Sequence, residues 1–420
     1  MQRFLKSPFC IVRLDSAAAA KALLSRCILA TGIYELLGHG DTYDALRDNV
    51  LSRSSRQLLQ YKKLPFRFTL DCFQGTRSTK KQREIIESFG YLDLEGQISM
   101  KNAELDLWIL EDYSLDTTKP KHSSEPKHLY LGRFLGSSGR KVVPVYDLKR
   151  RKYISTTSMD SELALVTANL ALAVPGKLIY DPFTGTGSFP VACAHFGATV
   201  IGSDIDGRSI RGSKGRNVFS NFQQYGLEAL YLDSFISDLT NTPLRKGRWL
   251  DGIVCDPPYG VREGLKVLGS PKPELQKEVR LKDGRIAHLQ SDYIPPKRAY
   301  SFEAMLDDIL DFAAAMLIDQ GRLCMWMPTA NDEDVELAIP AHPALEITSV
   351  CVQSFNKWSR RLLTYRRISD SDIDQTAVRR KREQINGATA DELNSFRRKY
   401  FQGFKDAASS DDVGGQHNSG

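Results

Sequence analysis

The sequence predicts an α/β protein in two parts: a small α/β domain, then a larger one with a mainly parallel sheet and helices on both faces. Three observations predict this. From residue 160 onward, helix-like and strand-like stretches alternate: SELALVTANLALA, GKLIYD, PVACAHFG, ATVIGSD. Such alternation gives parallel strands joined by crossover helices. Upstream, LPFRFTLDCF sets Phe66, Phe68, Leu70 and Cys72 against Arg67, Thr69 and Asp71, the period-two pattern of a half-buried strand. Charge divides as well: residues 1–159 hold 26 Lys and Arg against 17 Asp and Glu, a balance of +9, while the remainder stands at −3. A basic first part suits a polyanionic partner; the plainer alternative is an ordinary solvated surface.

The elements follow in order. FCIVRL is a short strand pattern, AAAAKALLSRCILATGIYELL and TYDALRDNVLSR are helix-like, and GTRSTKKQREIIESFGYL is a cap followed by an amphipathic helix. ELDLWILEDY and HLYLGRFLG are two more strands, separated by the polar, Pro-containing SLDTTKPKHSSEPKH, expected to be a loop. VYDLKRRKYISTTS leads onward. After ATVIGSD come a polar helix from about residue 208, then EALYL, WLDGIVC, an irregular charged stretch over 261–300, the helix FEAMLDDILDFAAAMLI and the strand GRLCMWMP. LEITSVCVQSF and RLLTYRRI are expected to close the sheet as an antiparallel pair. The expected divisions are 1–60, 61–145, 146–375, a charged helical extension over 376–405 and a disordered tail over 406–420.

Composition excludes several classes. With 420 residues, 41% hydrophobic and 26% charged, the chain has the make-up of a soluble globular protein of two or three domains. No apolar run approaches the roughly 20 residues of a membrane-spanning helix. The apolar part of MQRFLKSPFCIVRLDS is too short and interrupted for a signal peptide, so a cytoplasmic location is expected. The seven cysteines are scattered without any CxxC pair, which points to buried reduced thiols and to no metal site.

Two motifs carry chemistry. In YDPFTGTGSF a buried strand runs into Asp181, then a turn with Gly185 and Gly187 where backbone can approach a ligand closely. A dinucleotide loop would read GxGxxG, but Pro190 stands at the third position; the GxxxxGK[ST] loop of nucleotide triphosphatases is absent. The loop therefore suits a ligand with an amino-acid moiety and a nucleoside, with Asp181 placed to hold an ammonium. ATVIGSD ends at Asp204, with Asp206 two residues on. A carboxylate ending the second strand of such a unit can bind ribose hydroxyls; the alternative for each Asp is a helix cap. Asp238 sits where a third strand's loop should end, and reaches an adenine amine or caps a turn.

The second motif is DPPYG, directly after the apolar run DGIVC. Prolines cannot donate to a sheet ladder, so the strand stops there and leaves Asp256 and Tyr259 at its carboxyl end, the ligand-binding edge of an open α/β sheet. A planar exocyclic amine is a poor nucleophile. The Asp256 carboxylate and the Pro257 carbonyl can both accept its N–H bonds, aim its lone pair, and favour the positive charge that develops. Pro257 and Pro258 fix φ, so the acceptors are set in advance. Tyr259 can stack on a flat base. Adenine N6, guanine N2 and a glutamine amide all present such an NH2 group.

The order strand, DPFTGTGSF, helix, strand ending in Asp, then DPPYG resembles the class I S-adenosylmethionine-dependent amino-methyltransferases over about residues 153–370. The resemblance implies a mixed, mostly parallel seven-stranded Rossmann-like sheet, with S-adenosylmethionine over Asp181, Phe183, Thr184, Gly185, Gly187, Asp204, Asp206 and Asp238. Its implied catalytic residues are Asp256, Pro257, Pro258 and Tyr259. The strand–helix–strand–strand pattern and basic excess upstream resemble THUMP-containing RNA modification enzymes. RRKYISTTSMDSELALVTANLAL, with DPFTGTGSF and DPPYGVREG, looks like the catalytic subunits of the eukaryotic tRNA guanine-10 N2-methyltransferases. That likeness implies N2-methylguanosine formation in tRNA and a small zinc-binding activator subunit as partner. An N6-adenine methyltransferase on RNA or DNA and a glutamine methyltransferase on protein are the alternatives. The 261–300 stretch is either a cover over the site or a plain insertion, and AVRRKREQ either touches RNA or is a solvated helix face.

Overall fold

The computed structural model describes residues 2–3, 7–113, 125–261, 264–270, 272–273, 277–290, 293–330, 339–356, 358–374 and 389–402. The chain forms two compact units, Met1–Val142 and Val143–Gly420.

The first unit carries a short antiparallel pair, β1 (Gln2–Arg3) with β2 (Cys10–Ile11), and then α1 (Ala17–Arg26), β3 (Gly32–Gly40), α2 (Tyr43–Leu58), β4 (Phe66–Phe73), α3 (Thr79–Glu87), β5 (Leu105–Asp112) and β6 (His128–Ser137). Serine and threonine start the helices: Ser16, Thr42 and Ser78 each accept an N–H of the first turn. The sheet order is β3-β6-β5-β4, with β4 and β5 parallel. The apolar face of β4 packs as its alternation requires: Phe66, Phe68 and Leu70 lie on a core of Leu37, Leu46, Val50, Leu105, Leu107 and Leu131.

The fold corrects two expectations. The helix-like reading of residues 17–37 holds only to Arg26, because GIYELL is strand β3. Its partner β6 supplies the ladder, from Gly32↔Ser137 to Gly40↔Leu129, and that pairing overrides local propensity. The same pairing joins the stretches expected as separate, 1–60 and 61–145, in one sheet. Of the loop expected over 114–128, residues 114–124 lie outside the described residues, and His128 already belongs to β6.

The second unit contains α4 (Ser161–Leu170), β7 (Leu178–Asp181), α5 (Ser188–His195), β8 (Thr199–Asp204), α6 (Gly207–Arg211), α7 (Val218–Tyr225), β9 (Tyr231–Ile236), β10 (Leu250–Cys255), β11 (Lys266–Leu268), β12 (Lys297–Ala299), α8 (Phe302–Met316), β13 (Leu317–Ala330), β14 (Leu345–Ser354), β15 (Trp358–Arg367) and α9 (Ser395–Gln402). Its main sheet is the expected mixed, seven-stranded one, in the order β14-β15-β13-β10-β7-β8-β9. Strands β13, β10, β7, β8 and β9 run parallel, and β15 and β14 return antiparallel. The central strands are continuous apolar runs because helices cover both faces. Ile253, Cys255, Leu323 and Met325 pack with Leu306, Ile309, Leu310 and Ala313 of α8 in the core.

The 261–300 stretch is not wholly irregular: β11 and β12 pair antiparallel, Lys266↔Ala299 to Leu268↔Lys297. Cys193, Cys255 and Cys324 are buried thiols as expected, but Cys10 and Cys351 are exposed, the latter on the outermost strand β14. Among the described residues no helix is long and apolar enough to cross a membrane. The basic run AVRRKREQ and the tail from residue 403 lie outside the described residues.

Candidate active site

Strands β7, β8 and β10 lie side by side and end at the same edge, so Asp181, Asp204 and Asp256 converge there. Asp181 is almost fully buried, with 1% of its surface exposed. Its Oδ1 accepts the Phe183 amide at 3.0 Å, and its Oδ2 is buried with no hydrogen-bond partner among the described residues. Burial pushes this carboxyl well above the usual range; the Phe183 amide pulls it down, and the charges of Asp204 and Asp256 push it up again.

The loop between β7 and α5 closes on itself. The Thr184 hydroxyl donates to the Asp181 carbonyl at 2.9 Å, the Thr184 amide to the Ser203 carbonyl at 2.9 Å, and the Gly187 amide to the Thr184 carbonyl at 2.8 Å. Gly187 caps α5 at φ +83°, in the left-handed region that favours glycine. Phe183 packs against the core. Thr184 and Phe183 thus shape the loop.

Asp204 Oδ2 accepts the Gly185 amide at 2.9 Å and Oδ1 accepts the Asp206 amide at 2.8 Å. Burial raises its carboxyl and these amides lower it, leaving a net rise. Asp206 caps α6 and is held by Arg208 at 2.8 Å, which keeps its carboxyl low. Asp238 is engaged within the chain: one oxygen caps Thr240 at 2.9 Å and the other takes the Leu268 amide at 2.6 Å, at the end of β11. The turn-capping alternative describes it here.

At DPPYG, the Tyr259 hydroxyl donates to Asp256 Oδ1 at 2.5 Å. The tyrosine is therefore more than a stacking face: its ring is half-buried against the core and its hydroxyl fixes the carboxylate. Asp256 Oδ2 and the Pro257 carbonyl take no hydrogen bond from the described residues. Burial raises Asp256 to about 6, while the Tyr259 hydroxyl and the Arg360 guanidinium pull the other way. Arg360 sits on β15, with its guanidinium 4.7 Å from the Trp326 ring centre and bonded to Gln353 at 2.7 Å. Burial and the Asp256 charge raise the Tyr259 phenol well above its usual range, so it is a donor at all relevant pH.

Several supporting residues carry no motif. Asn221 is fully buried; its Nδ2 donates to the Tyr153 carbonyl at 2.8 Å and the Thr186 carbonyl at 3.0 Å, and its Oδ1 accepts the Tyr153 amide at 3.0 Å. It staples the segment entering the unit to the glycine loop. Arg151 donates to the Ser188 hydroxyl at 2.9 Å, at the start of α5. One signal was available nearby: NVFS, whose Asn217 and Ser220 form a capping box, marks the start of α7. Among the described residues no cluster of three or more His, Cys, Asp or Glu could hold a metal ion.

The site suits S-adenosylmethionine. An unpartnered buried carboxylate oxygen, Asp181 Oδ2, fits a cationic donor such as an ammonium. The second carboxylate, Asp204, is held by backbone amides at the end of the neighbouring strand, where a ribose sits in such sheets.

Known proteins divide the chain in the same two parts. Residues 2–140 match the family described as Tmrp11 THUMP N-terminal domain, and residues 149–270 match that described as RMKL-like, methyltransferase domain. The chain is 43% identical over 406 residues to the tRNA (guanine(10)-N(2))-methyltransferase of Saccharomyces cerevisiae, covering 95% of this chain and 91% of that protein. It is 39% identical to the Schizosaccharomyces pombe enzyme of the same name, covering 94% and 81%, and 32% identical to that of Homo sapiens, covering 95% and 87%. Likeness of that extent spans both units, not the catalytic one alone. The chain belongs to the family of tRNA (guanine(10)-N(2))-methyltransferases.

Proposed function

We propose that this protein transfers a methyl group from S-adenosylmethionine to the exocyclic N2 of guanosine 10 in tRNA, forming N2-methylguanosine. The observation that carries the reading is the pair of open acceptors at one strand end, Asp256 Oδ2 and the Pro257 carbonyl, beside the glycine loop. When bound, the cofactor supplies an electrophilic methyl on a sulfonium. Asp181, the loop backbone from Phe183 to Gly187, and Asp204 hold it. Asp206 caps the helix that follows Asp204, and Asp238 ties the turn after β9 to β11.

The chain's own residues then act on the base. Asp256 and the Pro257 carbonyl accept the two N–H bonds of the guanine amine and turn its lone pair toward the methyl. The transfer would exchange an S–C bond for an N–C bond, and Asp256 would set an anionic carboxylate beside the positive charge that gathers on nitrogen. Asp256, at about 6, is then a suitable acceptor for the proton that nitrogen sheds near neutral pH. Tyr259 holds the carboxylate and offers the exposed part of its ring to the base, and Pro258 stiffens the turn. A base in folded RNA must leave its stack to arrive there.

We infer further that a small zinc-binding activator subunit pairs with the catalytic unit, and that the work is cytoplasmic. The partner reading is supported by β9, which forms one edge of the seven-stranded sheet and exposes Leu232 and Ile236 beside Phe219. An exposed apolar edge invites strand addition.

The test uses unmodified tRNA transcripts and methyl-labelled S-adenosylmethionine, with the chain alone and with the subunit, followed by nucleoside analysis. Labelled N2-methylguanosine at position 10 is the expected product, and Leu232→Asp with Ile236→Asp is expected to abolish the subunit's effect. Labelled N6-methyladenosine, or label in protein, would overturn the substrate assignment.

A further inference from the structure

We propose that Asn394 is a positioning residue for the methyl-transfer loop: one side chain both caps helix α9 and sets the backbone of Tyr259. The inference rests on the catalytic reading of DPPYG given above.

The loop leaves β10 at Cys255, and its prolines fix two φ angles but leave the backbone beyond them unconstrained. The next three carbonyls are taken by one segment, 394–397. Asn394 Nδ2 donates to the Tyr259 carbonyl at 2.7 Å. Arg397 Nη1 donates to the Gly260 carbonyl at 2.6 Å and also to that of Val261. Gly260 adopts φ +70°, and a Cβ there would lie 2.6 Å from Asn394 Nδ2, so loop and asparagine meet at a distance only glycine permits.

The segment is anchored and suits this task. Asn394 is 2% exposed, and its Oδ1 accepts the Arg397 amide at 2.9 Å, the N-cap bond of α9. Leu393 and Phe396 on either side are buried. The Leu393 carbonyl accepts the Phe302 amide at 3.2 Å, and the Ser395 hydroxyl donates to Glu303 at 3.0 Å, both at the start of α8. Phe396 lies 5.7 Å from Trp358 of β15, the strand that carries Arg360. Strand β15, helix α8 and Asn394 thus form one frame around DPPYG. The Tyr259 hydroxyl holds Asp256 at one end of that residue, and Asn394 holds its carbonyl at the other. Loss of the second hold frees the tyrosine to turn and carries the carboxylate with it.

The two halves of the asparagine can be separated. Asn394→Ser keeps a helix-capping oxygen but is too short to reach the Tyr259 carbonyl. Asn394→Asp keeps the capping oxygen and the shape but replaces the donor by an acceptor. Both are assayed as full chains, with the zinc-binding subunit in every reaction, at a temperature well below each variant's melting point. The expected result is a kcat about 100-fold below wild type, the scale of a misplaced reacting group, with KM for S-adenosylmethionine and for tRNA within about twofold. The acid limb of the pH profile should also move, since the carboxylate has lost its fixed orientation. A kcat equal to wild type in whichever variant folds would overturn the proposal and leave Asn394 a helix cap. Failure of both to fold would also overturn it, since the residue's role would then be structural. Absence of tRNA methylation by the wild-type chain in the same series would instead defeat the functional reading beneath it.

Discussion

The amide of Gly185 donates to the carboxylate of Asp204 across two adjacent strand ends, at 2.9 Å. The bond ties the glycine loop to Asp204, the residue proposed to hold the ribose, so either can be disturbed only with the other. Asp204→Ala is expected to weaken S-adenosylmethionine binding by at least about tenfold, the value of a single charge-assisted hydrogen bond. Calorimetric titration measures it, with circular dichroism to show the fold intact.

Asp256 accepts an amine N–H only as the carboxylate. Burial sets its carboxyl at about 6, so protonation below that pH removes an acceptor, and kcat/KM should rise with pH through about 6 and then level. Arg360 holds that value down, so Arg360→Gln is expected to shift the inflection to higher pH. A shift to lower pH would show that the guanidinium does not act on Asp256.

Asp256→Asn keeps the volume and removes the charge. A drop in kcat of about 100- to 1000-fold is expected, with cofactor affinity unchanged, because the missing interaction strengthens only as charge develops on nitrogen. Single-turnover transfer to tRNA reads this directly. A variant within threefold of wild type would remove the carboxylate from the mechanism.

Gly202 lies on β8 under the glycine loop, and a Cβ there would lie 2.0 Å from Thr184 Oγ1. Gly202→Ala is expected to cost about 1–3 kcal/mol by overpacking and to weaken cofactor binding as Thr184 is displaced. Urea unfolding and titration report the two effects separately; Thr184→Ser in the same chain leaves the clash in place, whereas Thr184→Ala should relieve it.

Asn221→Ala leaves the Tyr153 amide and carbonyl and the Thr186 carbonyl without their partner. At about 1–3 kcal/mol for each buried group left unsatisfied, with water reaching some of them, a destabilisation of about 3 kcal/mol is expected. A midpoint of chemical unfolding unchanged from wild type would contradict this account of the staple.

What the sequence made legible follows from how local each cause is. Asp181, Gly187, Asp204 and Asp256 lie at strand ends, where short apolar runs and punctuation mark position without tertiary knowledge. GIYELL misled because Ile33, Tyr34, Leu36 and Leu37 fit a helical stripe as well as a strand, and only pairing with β6, a hundred residues on, decides. β12 shows no alternation because all three of its residues are exposed, so nothing in KRA marks it as a strand. Arg360 could not be placed at the site from RRLLTYRR. Its position depends on the register of β15 against β13, where Arg360 pairs with Pro328 and its neighbour Arg361 with Met327. Asn221 and Asn394 act through backbone groups far along the chain, and residue type alone marks neither.

The convergence of carboxylates at one strand edge has a further consequence. Burial raises the carboxyls of Asp181 and Asp204 above their usual range, so ionising both in the cleft is costly. A cationic ligand lowers that cost, and its binding favours the ionised forms. Affinity for the methyl donor is therefore expected to climb with pH as these carboxyls ionise. Any proton released on binding shows in how the heat of binding varies with the ionisation enthalpy of the buffer.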